Sequence, residues 1–140
     1  MPAKRVLVSG GRDFALPDEV HRILGKINAS FGITELAHGG ATGADELCKL
    51  WALTYGVPVL EYEASKAEWE VWGNRAGNMR NSRMLRSFKP DLGVVFPGGR
   101  GTADMKGKLI EARVNTLIGT YTNVERTTVQ WSIRSPLHLF

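Results

Sequence analysis

Three glycine pairs in this chain each follow a short run of branched apolar residues. The pairs are Gly10-Gly11, Gly39-Gly40 and Gly98-Gly99, and the runs before them cover residues 4–9, 34–38 and 92–96. Branched residues favour strands and paired glycines interrupt them, so each run predicts a short strand that ends in a turn. Two of the pairs are followed by apolar residues at helical spacing. Strands that alternate with helices in this way predict an α/β domain with a parallel sheet.

The rest of the chain continues the alternation of strands and helices. Further strands are predicted at residues 57–62 and 116–119, and helices at residues 17–31, 44–55, 76–88 and 103–114. Residues 63–77 lack a clean period and are interpreted as a loop or an irregular helix over the end of the sheet. Residues 129–133 alternate like an edge strand. A parallel sheet covered by helices on both faces accommodates this order of elements.

The length of 140 residues is typical of a single domain. We place a ligand-binding domain at residues 1–120 and a C-terminal extension at residues 121–140, where the composition changes to Thr, Ser and Arg. The extension is expected to pack on the domain or on a partner subunit.

Composition and charge exclude several classes of protein. The one cysteine, Cys48, has no second thiol for a disulfide or a multi-thiolate zinc site, and we expect neither a metal nor a cofactor. No apolar run approaches the roughly 20 residues that span a bilayer, and the N-terminus lacks the apolar segment of a secretory signal. We therefore expect a cytoplasmic protein with no membrane partner. The net charge of +4 suits an anionic partner but is modest for a dedicated nucleic-acid binder.

The glycine pairs are predicted to meet at one edge of the sheet, because the carboxyl ends of parallel strands lie together. Open α/β sheets bind ligands at this edge. Glycine lets backbone N–H groups approach a phosphate, and a following helix supplies unpaired N–H donors. The most specific cluster combines such donors with a guanidinium and a hydroxyl; it consists of Pro97, Gly98, Gly99, Arg100, Gly101 and Thr102. The P-loop and G-x-G-x-x-G signatures are absent, which disfavours an ordinary kinase or dehydrogenase.

Charged and polar residues near this edge are candidate ligand contacts. Arg12 and Asp13 follow the first glycine pair. Asp45 lies in the first turn of the second predicted helix, where it either stabilises the helix through its dipole or contacts a ligand hydroxyl. His38 has no acidic or second histidine neighbour in the sequence and is interpreted as a structural imidazole.

The predicted helix at residues 76–88 directs one polar side chain inward. On a helical wheel, Asn81 projects between apolar residues, and Arg80 lies at the border of that sector. A buried amide needs a hydrogen-bond partner, which is either backbone or ligand, because an unsatisfied amide costs roughly 1–3 kcal/mol. Arg83 and Arg86 point outward and are interpreted as a solvated basic face.

Four motifs in one order resemble the SLOG superfamily, and in particular its YspA/YpsA-like branch. They are SGGRDF at residues 9–14, HGGATGAD at 38–45, GNMRN at 77–81 and PGGRGTA at 97–103. The resemblance implies a Rossmann-like three-layer sandwich with a mostly parallel sheet, a pocket for a nucleotide-type ligand formed by these motifs, and a homodimer. Members of the superfamily are proposed to sense or process nucleotide-derived molecules.

Two related groups imply alternative functions. The lonely-guy phosphoribohydrolases cleave a base from ribose monophosphate with a PGGxGTxxE loop and an arginine, and by this resemblance Arg80 is a phosphate contact. Met105 stands at the position of the glutamate, and a thioether cannot move a proton, so Asp104 or Asp13 would have to replace it. Thr42 stands where relatives often have arginine. Catalytic residues are therefore not assigned.

The second related group, the DprA-type proteins, binds single-stranded DNA. The basic balance of the chain, together with Trp69 and Trp72, agrees with this alternative. Nucleic acid is therefore kept as a secondary partner class.

The leading hypothesis is a protein that binds a nucleotide-derived, phosphate-bearing small molecule, as a sensor or a processing enzyme. The Arg80→Ala change is expected to weaken binding without unfolding the protein. The predicted ligand-binding residues are Gly10, Gly11, Arg12, Asp13, Gly39, Gly40, Asp45, Arg80, Asn81, Pro97, Gly98, Gly99, Arg100, Gly101 and Thr102.

Overall fold

The computed structural model describes residues 3–136. In this part of the chain six strands form one sheet in the order β3-β2-β1-β4-β5-β6. The strands are β1 Lys4–Ser9, β2 Ile33–His38, β3 Val59–Glu61, β4 Leu92–Val95, β5 Asn115–Tyr121 and β6 Val129–Arg134. All neighbouring pairs are parallel except β5 and β6, which are antiparallel. The predicted mostly parallel α/β fold is confirmed.

Helices cover both faces of the sheet. Within residues 3–136 they are α1 Pro17–Ser30, α2 Ala44–Thr54, α3 Lys66–Trp72, α4 Arg75–Phe88 and α5 Arg100–Glu111. Alternation along the central strand β1 supplies a core to each face. Val6 and Val8 belong to the core that α1 and α2 cover, whereas Leu7 belongs to the core that α4 and α5 cover. The result is the expected three-layer sandwich.

Some element bounds differ from those predicted. Helix α5 begins at Arg100 rather than at residue 103 and ends at Glu111. Its first turn includes a glycine that suggested a loop, but first-turn residues donate no intrahelical hydrogen bond, so weak helix formers are tolerated there. Tyr55, predicted on the buried face of α2, follows the last residue of that helix and is 56% exposed. Strand β3 is shorter than predicted, at Val59–Glu61.

Helix α3 lies in the segment that showed no helical period. A capping box starts it: Ser65 Oγ accepts from the Glu68 N–H, and the Glu68 carboxylate accepts from the Ser65 N–H, both at 3.0 Å. The Ser-x-x-Glu spacing is the sequence signal that locates this helix. No residue of α3 is buried. Arg83 of α4 donates to Glu68 at 3.0 Å, so Arg83 holds α3 and is not purely a solvated residue as predicted.

The C-terminal segment adds an edge strand to the sheet, as predicted for residues 129–133. Trp131 of β6 donates through Nε1 to the Glu19 carboxylate at 3.0 Å, and its ring packs edge-on against Phe96 with centroids 5.2 Å apart. Residues 137–140 of the predicted extension lie outside the described residues, and its packing on a partner subunit stays a proposal. Among the described residues, no helix combines the length and apolarity needed to cross a membrane.

Candidate functional site

A cavity of about 690 Å³ opens at the carboxyl ends of β1 and β4. We call it the first cavity. The chain leaves β1 toward β2 and later returns to β4 on the other side, and open α/β sheets bind ligands at such a switch point. The predicted binding residues that line it are Gly10, Gly11, Arg12, Asp13, Asp45, Arg80, Gly99, Arg100, Gly101 and Thr102.

The other predicted binding residues do not line the first cavity. Gly39 and Gly40 line a smaller neighbouring cavity of about 310 Å³. Pro97 and Gly98 line a cavity of about 450 Å³ on the other side of their loop, and Asn81 is buried beneath the site. Further residues of the first cavity were not predicted; they are Ser9, Ala41, Trp69, Asn74, Arg75, Gly77 and Asn78. Gly77 and Asn78 belong to the GNMRN motif at residues 77–81. This motif, in the first turns of α4, is the sequence signal by which they could have been predicted.

Several loop glycines are required by contacts between the loops. A Cβ on Gly10 would overlap with Ala44, and a Cβ on Gly43 would overlap with the Gly11 carbonyl oxygen. Gly43 also has a φ of +73°, which side chains rarely adopt. By contrast, nothing lies within 4 Å of a Cβ built on Gly99 or Gly101. Gly10 and Gly43 therefore allow the close approach of the β1 loop to α2, whereas Gly99 and Gly101 border open space.

The backbone donors of the first two glycine loops are used inside the protein. The Gly11 N–H donates to the Pro97 carbonyl at 2.9 Å. The Gly39 N–H donates to Asp45 Oδ2 at 3.1 Å, and the Gly40 N–H donates to His38 Nδ1 at 3.0 Å. Enclosed N–H groups need partners, and these have found them in the protein. In this structure the N–H groups of Gly11, Gly39 and Gly40 are therefore not free to bind a phosphate.

The turn that starts α5 keeps its donors available. Among residues 3–136, no acceptor pairs with the N–H groups from Gly99 to Thr102, and α5 has no side-chain cap. All four residues line the first cavity. Free N–H groups at the positive end of a helix dipole bind anions. This turn has the free donors that the predicted phosphate cradle requires.

The first cavity carries an excess of positive charge. Four arginines line it, against the two carboxylates of Asp13 and Asp45; they are Arg12, Arg75, Arg80 and Arg100. Asp13 is further neutralised by an ion pair with Arg126 at 3.1 Å. Arg12 lies over the Trp69 ring, 5.7 Å from its centroid. This balance favours an anionic ligand.

Arg80 and Asn81 connect the elements that surround the first cavity. The Arg80 guanidinium donates to the Gly39 carbonyl and, through Nε, to Asn81 Oδ1 at 3.0 Å. Asn81 is 2% exposed and donates to the Gly101 carbonyl and to Asp104 Oδ2, both at 3.1 Å. The inward amide predicted at Asn81 thus has protein partners. Its role is to fix the start of α5 against α4.

Asp45 holds the β2–α2 loop from inside. Its Oδ2 accepts from the Gly39 and Ala41 N–H groups at 3.1 and 3.2 Å. Its Oδ1 is buried and has no hydrogen-bond partner among the described residues. Burial raises the pKa of Asp45 to about 6, although the Ala41 N–H and the Arg80 guanidinium lower it. The sequence predicts helix stabilisation or a ligand contact for Asp45. Its hydrogen bonds to the β2–α2 loop were not predicted.

His38 lies beside this loop and is 1% exposed. Burial lowers its pKa, and its Nδ1 accepts from Gly40, so the imidazole is neutral with its proton on Nε2. Nε2 is 3.6 Å from Glu61 Oε1, beyond hydrogen-bond distance. The satisfied structural imidazole predicted for His38 is therefore found at Nδ1, whereas the buried Nε2 has no hydrogen-bond partner among the described residues.

The Asp45→Asn variant should gain stability relative to the wild type as pH rises. The native carboxyl has a pKa of about 6, whereas the ordinary pKa of an aspartate, which applies to the unfolded chain, is 3.8. Between these values the native state binds more protons, so the contribution of Asp45 to stability falls with rising pH. The raised pKa corresponds to a change on the order of 3 kcal/mol in the difference between the unfolding free energies of the variant and the wild type. Urea unfolding of both proteins near pH 4 and near pH 7 measures it; a pH-independent difference would contradict the raised pKa.

The chain resembles known proteins along much of its length. A family model described as the YspA, cpYpsA-related SLOG family matches residues 4–70. The chain is also 35% identical to the Gene 61 protein of Mycobacterium phage D29, with 69% of this chain and 79% of that protein covered. It belongs to the YspA/cpYpsA-related SLOG family. Membership indicates nucleotide-related binding or processing.

This SLOG protein places the residues near the missing glutamate away from the first cavity. Met105 is fully buried, in one core cluster with Met84 and Leu109. The Asp104 carboxylate accepts from Asn81 and from Lys108 Nζ at 2.6 Å, and it does not line the first cavity. Of the two acids considered for a hydrolase, the cavity therefore retains Asp13.

Proposed function

We propose that this SLOG protein binds a nucleotide-derived, phosphate-bearing small molecule in the first cavity. The observation that supports the proposal is the row of unpaired N–H groups from Gly99 to Thr102 at the start of α5. A phosphate there would accept several of these hydrogen bonds and interact with the helix dipole. The nucleotide-related character of the family supports the same assignment.

The neighbouring side chains fit the rest of such a ligand. Arg100 has no hydrogen-bond or ion-pair partner among residues 3–136, so its guanidinium is free to bind a phosphate oxygen. Trp69 also lines the cavity, with the Arg12 guanidinium 5.7 Å from the centroid of its ring, and a base can stack on either an aromatic ring or a guanidinium. The cavity volume of about 690 Å³ lies within the range of small-molecule sites.

The Gly101→Ala variant should lose nucleotide binding without losing stability. Gly101 lies in the first turn of α5, lines the first cavity and has open space around its Cβ position. Alanine there favours the helix by roughly 0.5–1 kcal/mol, yet its methyl group would occupy space that a phosphate needs. We expect the affinity for the tightest-binding nucleotide to fall at least about tenfold, which corresponds to 1.4 kcal/mol.

Gly107→Ala is the matched control for this variant. Gly107 lies in the same helix, is also free of contacts at its Cβ position and does not line the first cavity. Thermal denaturation of both variants and the wild type, with and without a panel of nucleoside mono- and diphosphates, separates stability from binding. Equal nucleotide affinity in the two variants would contradict the placement of the phosphate at α5. A panel in which no nucleotide stabilises the wild type would reject the proposed function.

Single-stranded DNA binding is a second candidate that one observation favours. Trp72 is 43% exposed, and the Arg75 guanidinium lies 5.8 Å from the centroid of its ring. Exposed aromatic rings beside arginines stack on the bases of single strands. Including a short oligonucleotide in the panel at two salt concentrations tests this candidate, because phosphate-driven binding weakens steeply with salt.

A further inference from the structure

A groove of about 540 Å³ lies between α4 and α5, toward the ends of these helices, whereas their first turns line the first cavity. The apolar residues that line the groove are Leu85, Pro90, Ala112 and Val114. Leu85 and Val114 pack against the core that α4 and α5 cover, but they stay partly exposed. Contiguous exposed apolar surface often marks a site of interaction.

A smaller cavity of about 220 Å³ adjoins this groove. Val114 lines both. The end of α5 lies between them, because Ala112 lines the groove and Ile110 lines the smaller cavity. A chain that crosses the end of α5 therefore passes from the smaller cavity into the groove.

The chain leaves β6 at the smaller cavity. Strand β6 is antiparallel to β5, with Arg134 opposite Thr116, so it ends at the edge of the sheet where β5 begins. Ser135 and Pro136 then line the smaller cavity. Pro136 therefore places the start of the following segment beside the end of α5.

The four residues after Pro136 are Leu137, His138, Leu139 and Phe140. Three of them are apolar, whereas residues 122–128 of the same extension are mostly polar or charged. Four extended residues span at most about 13–14 Å, and a helix with its side chains is about 10–12 Å wide. The segment is thus long enough to cross the end of α5 and apolar enough to bind in the groove.

We propose that residues 137–140 bind in the groove between α4 and α5 of the same chain, with their apolar side chains on Leu85 and Val114. This contact removes apolar surface from water and so stabilises the folded state. The aliphatic stems of Arg86 and Lys89, which also line the groove, extend the apolar surface around the segment. The proposal is independent of the proposed function.

The groove is connected to the first cavity by hydrogen bonds between α4 and α5. Lys108 lines the groove and donates to the Asp104 carboxylate at 2.6 Å, and this carboxylate accepts from Asn81 at 3.1 Å. Asn81 also donates to the carbonyl of Gly101, which lines the first cavity. A segment bound in the groove therefore fastens together the two helices whose first turns border the first cavity.

Engineered cysteine pairs test the position of the segment. Cys48, the one native cysteine, is fully buried and takes no part. We would combine His138→Cys with Lys89→Cys on the α4 side of the groove, or with Ala112→Cys on the α5 side. A disulfide requires Cα atoms about 4.4–6.8 Å apart. After mild oxidation with oxidised glutathione, mass spectrometry should find an intramolecular disulfide in most molecules of at least one pair.

His138→Cys with Lys26→Cys is the control pair, because Lys26 is exposed on α1, which covers the opposite face of the sheet. This pair should form no disulfide. Equal yields in the control and groove pairs, or no disulfide in either groove pair, would overturn the proposal. Disulfides that link two chains would assign the groove to the segment of a second copy, and would overturn binding within one chain.

Thermal denaturation measures the contribution of the segment to stability. Phe140→Ser should lower the Tm by at least about 3 °C, because it removes apolar contact with the groove. Val124→Ser is the matched control: Val124 lies in the same extension and is 92% exposed, so its Tm should stay within about 1 °C of the wild type. An unchanged Tm for Phe140→Ser would contradict the proposal. Neither experiment includes a nucleotide, so their results leave the proposed function untouched.

Discussion

Replacing Gly43 with alanine is expected to lower the free energy of unfolding by about 3–5 kcal/mol. With a φ of +73° and a ψ of −122°, this residue lies in a sparsely populated region of backbone conformation, where a side chain costs on the order of 1–3 kcal/mol. The added methyl group would also overlap with backbone atoms of Gly11 and Arg12, and such overpacking costs typically 1–3 kcal/mol. Neither backbone segment can rotate away as a side chain could. Urea unfolding monitored by circular dichroism measures the loss.

Gly56→Ala is a control for a positive φ without a close contact. Gly56 has a similar φ of +69° but nothing within 4 Å of its Cβ position. Its alanine variant should therefore lose only the conformational part, about 1–2 kcal/mol. Equal losses at the two positions would show that the close approach of the β1 loop to α2 adds nothing to the cost.

Arg80→Ala is expected to lower the free energy of unfolding by about 2–4 kcal/mol, which revises the sequence-based expectation of an effect on binding alone. Removal of the guanidinium deprives the Gly39 carbonyl and Asn81 Oδ1 of their donors. It also removes a positive charge that favours the ionised form of the buried Asp45. Urea unfolding at neutral pH measures the effect.

A double-mutant cycle with Asp45→Asn identifies the electrostatic part of this loss. With the charge at residue 45 removed, Arg80→Ala should cost less by about 1 kcal/mol or more, since interacting residues are not additive. Arg86→Ala is the control on the same helix; Arg86 is exposed, and its loss should change stability by no more than about 0.5 kcal/mol. Additive effects of the Arg80 and Asp45 changes would contradict a direct interaction between them.

The sequence predicts the fold better than the site because strand and helix patterns are local. The alternation of Val6, Leu7 and Val8 suffices to place β1 between two layers of helices. Helix bounds are less well predicted. The start of α5 depends on backbone geometry that Arg100 and Gly101 do not specify by their type.

The chemistry of the glycine loops could not be predicted from the sequence. A glycine that leaves room for a phosphate and one that leaves room for another loop look identical in the chain. The Gly11 N–H is paired with Pro97, a residue far away in sequence, and the Gly39 carbonyl is paired with Arg80 of α4. Such partners are known only once the elements are assembled.

Helix α3 borders the first cavity through Trp69, and its sequence can change with little effect on the core. It contributes no buried residue, its capping box is internal to the segment, and a part-buried contact between Glu68 and Arg83 links it to α4. Mutations in this segment therefore carry a low penalty for the fold as a whole, although Trp69 lines the first cavity. During divergence of related proteins, ligand preference can change through α3 while the rigid glycine loops stay the same. Under the proposed function, the turn that would bind a phosphate and the helix that would select its attached group are thus free to evolve separately.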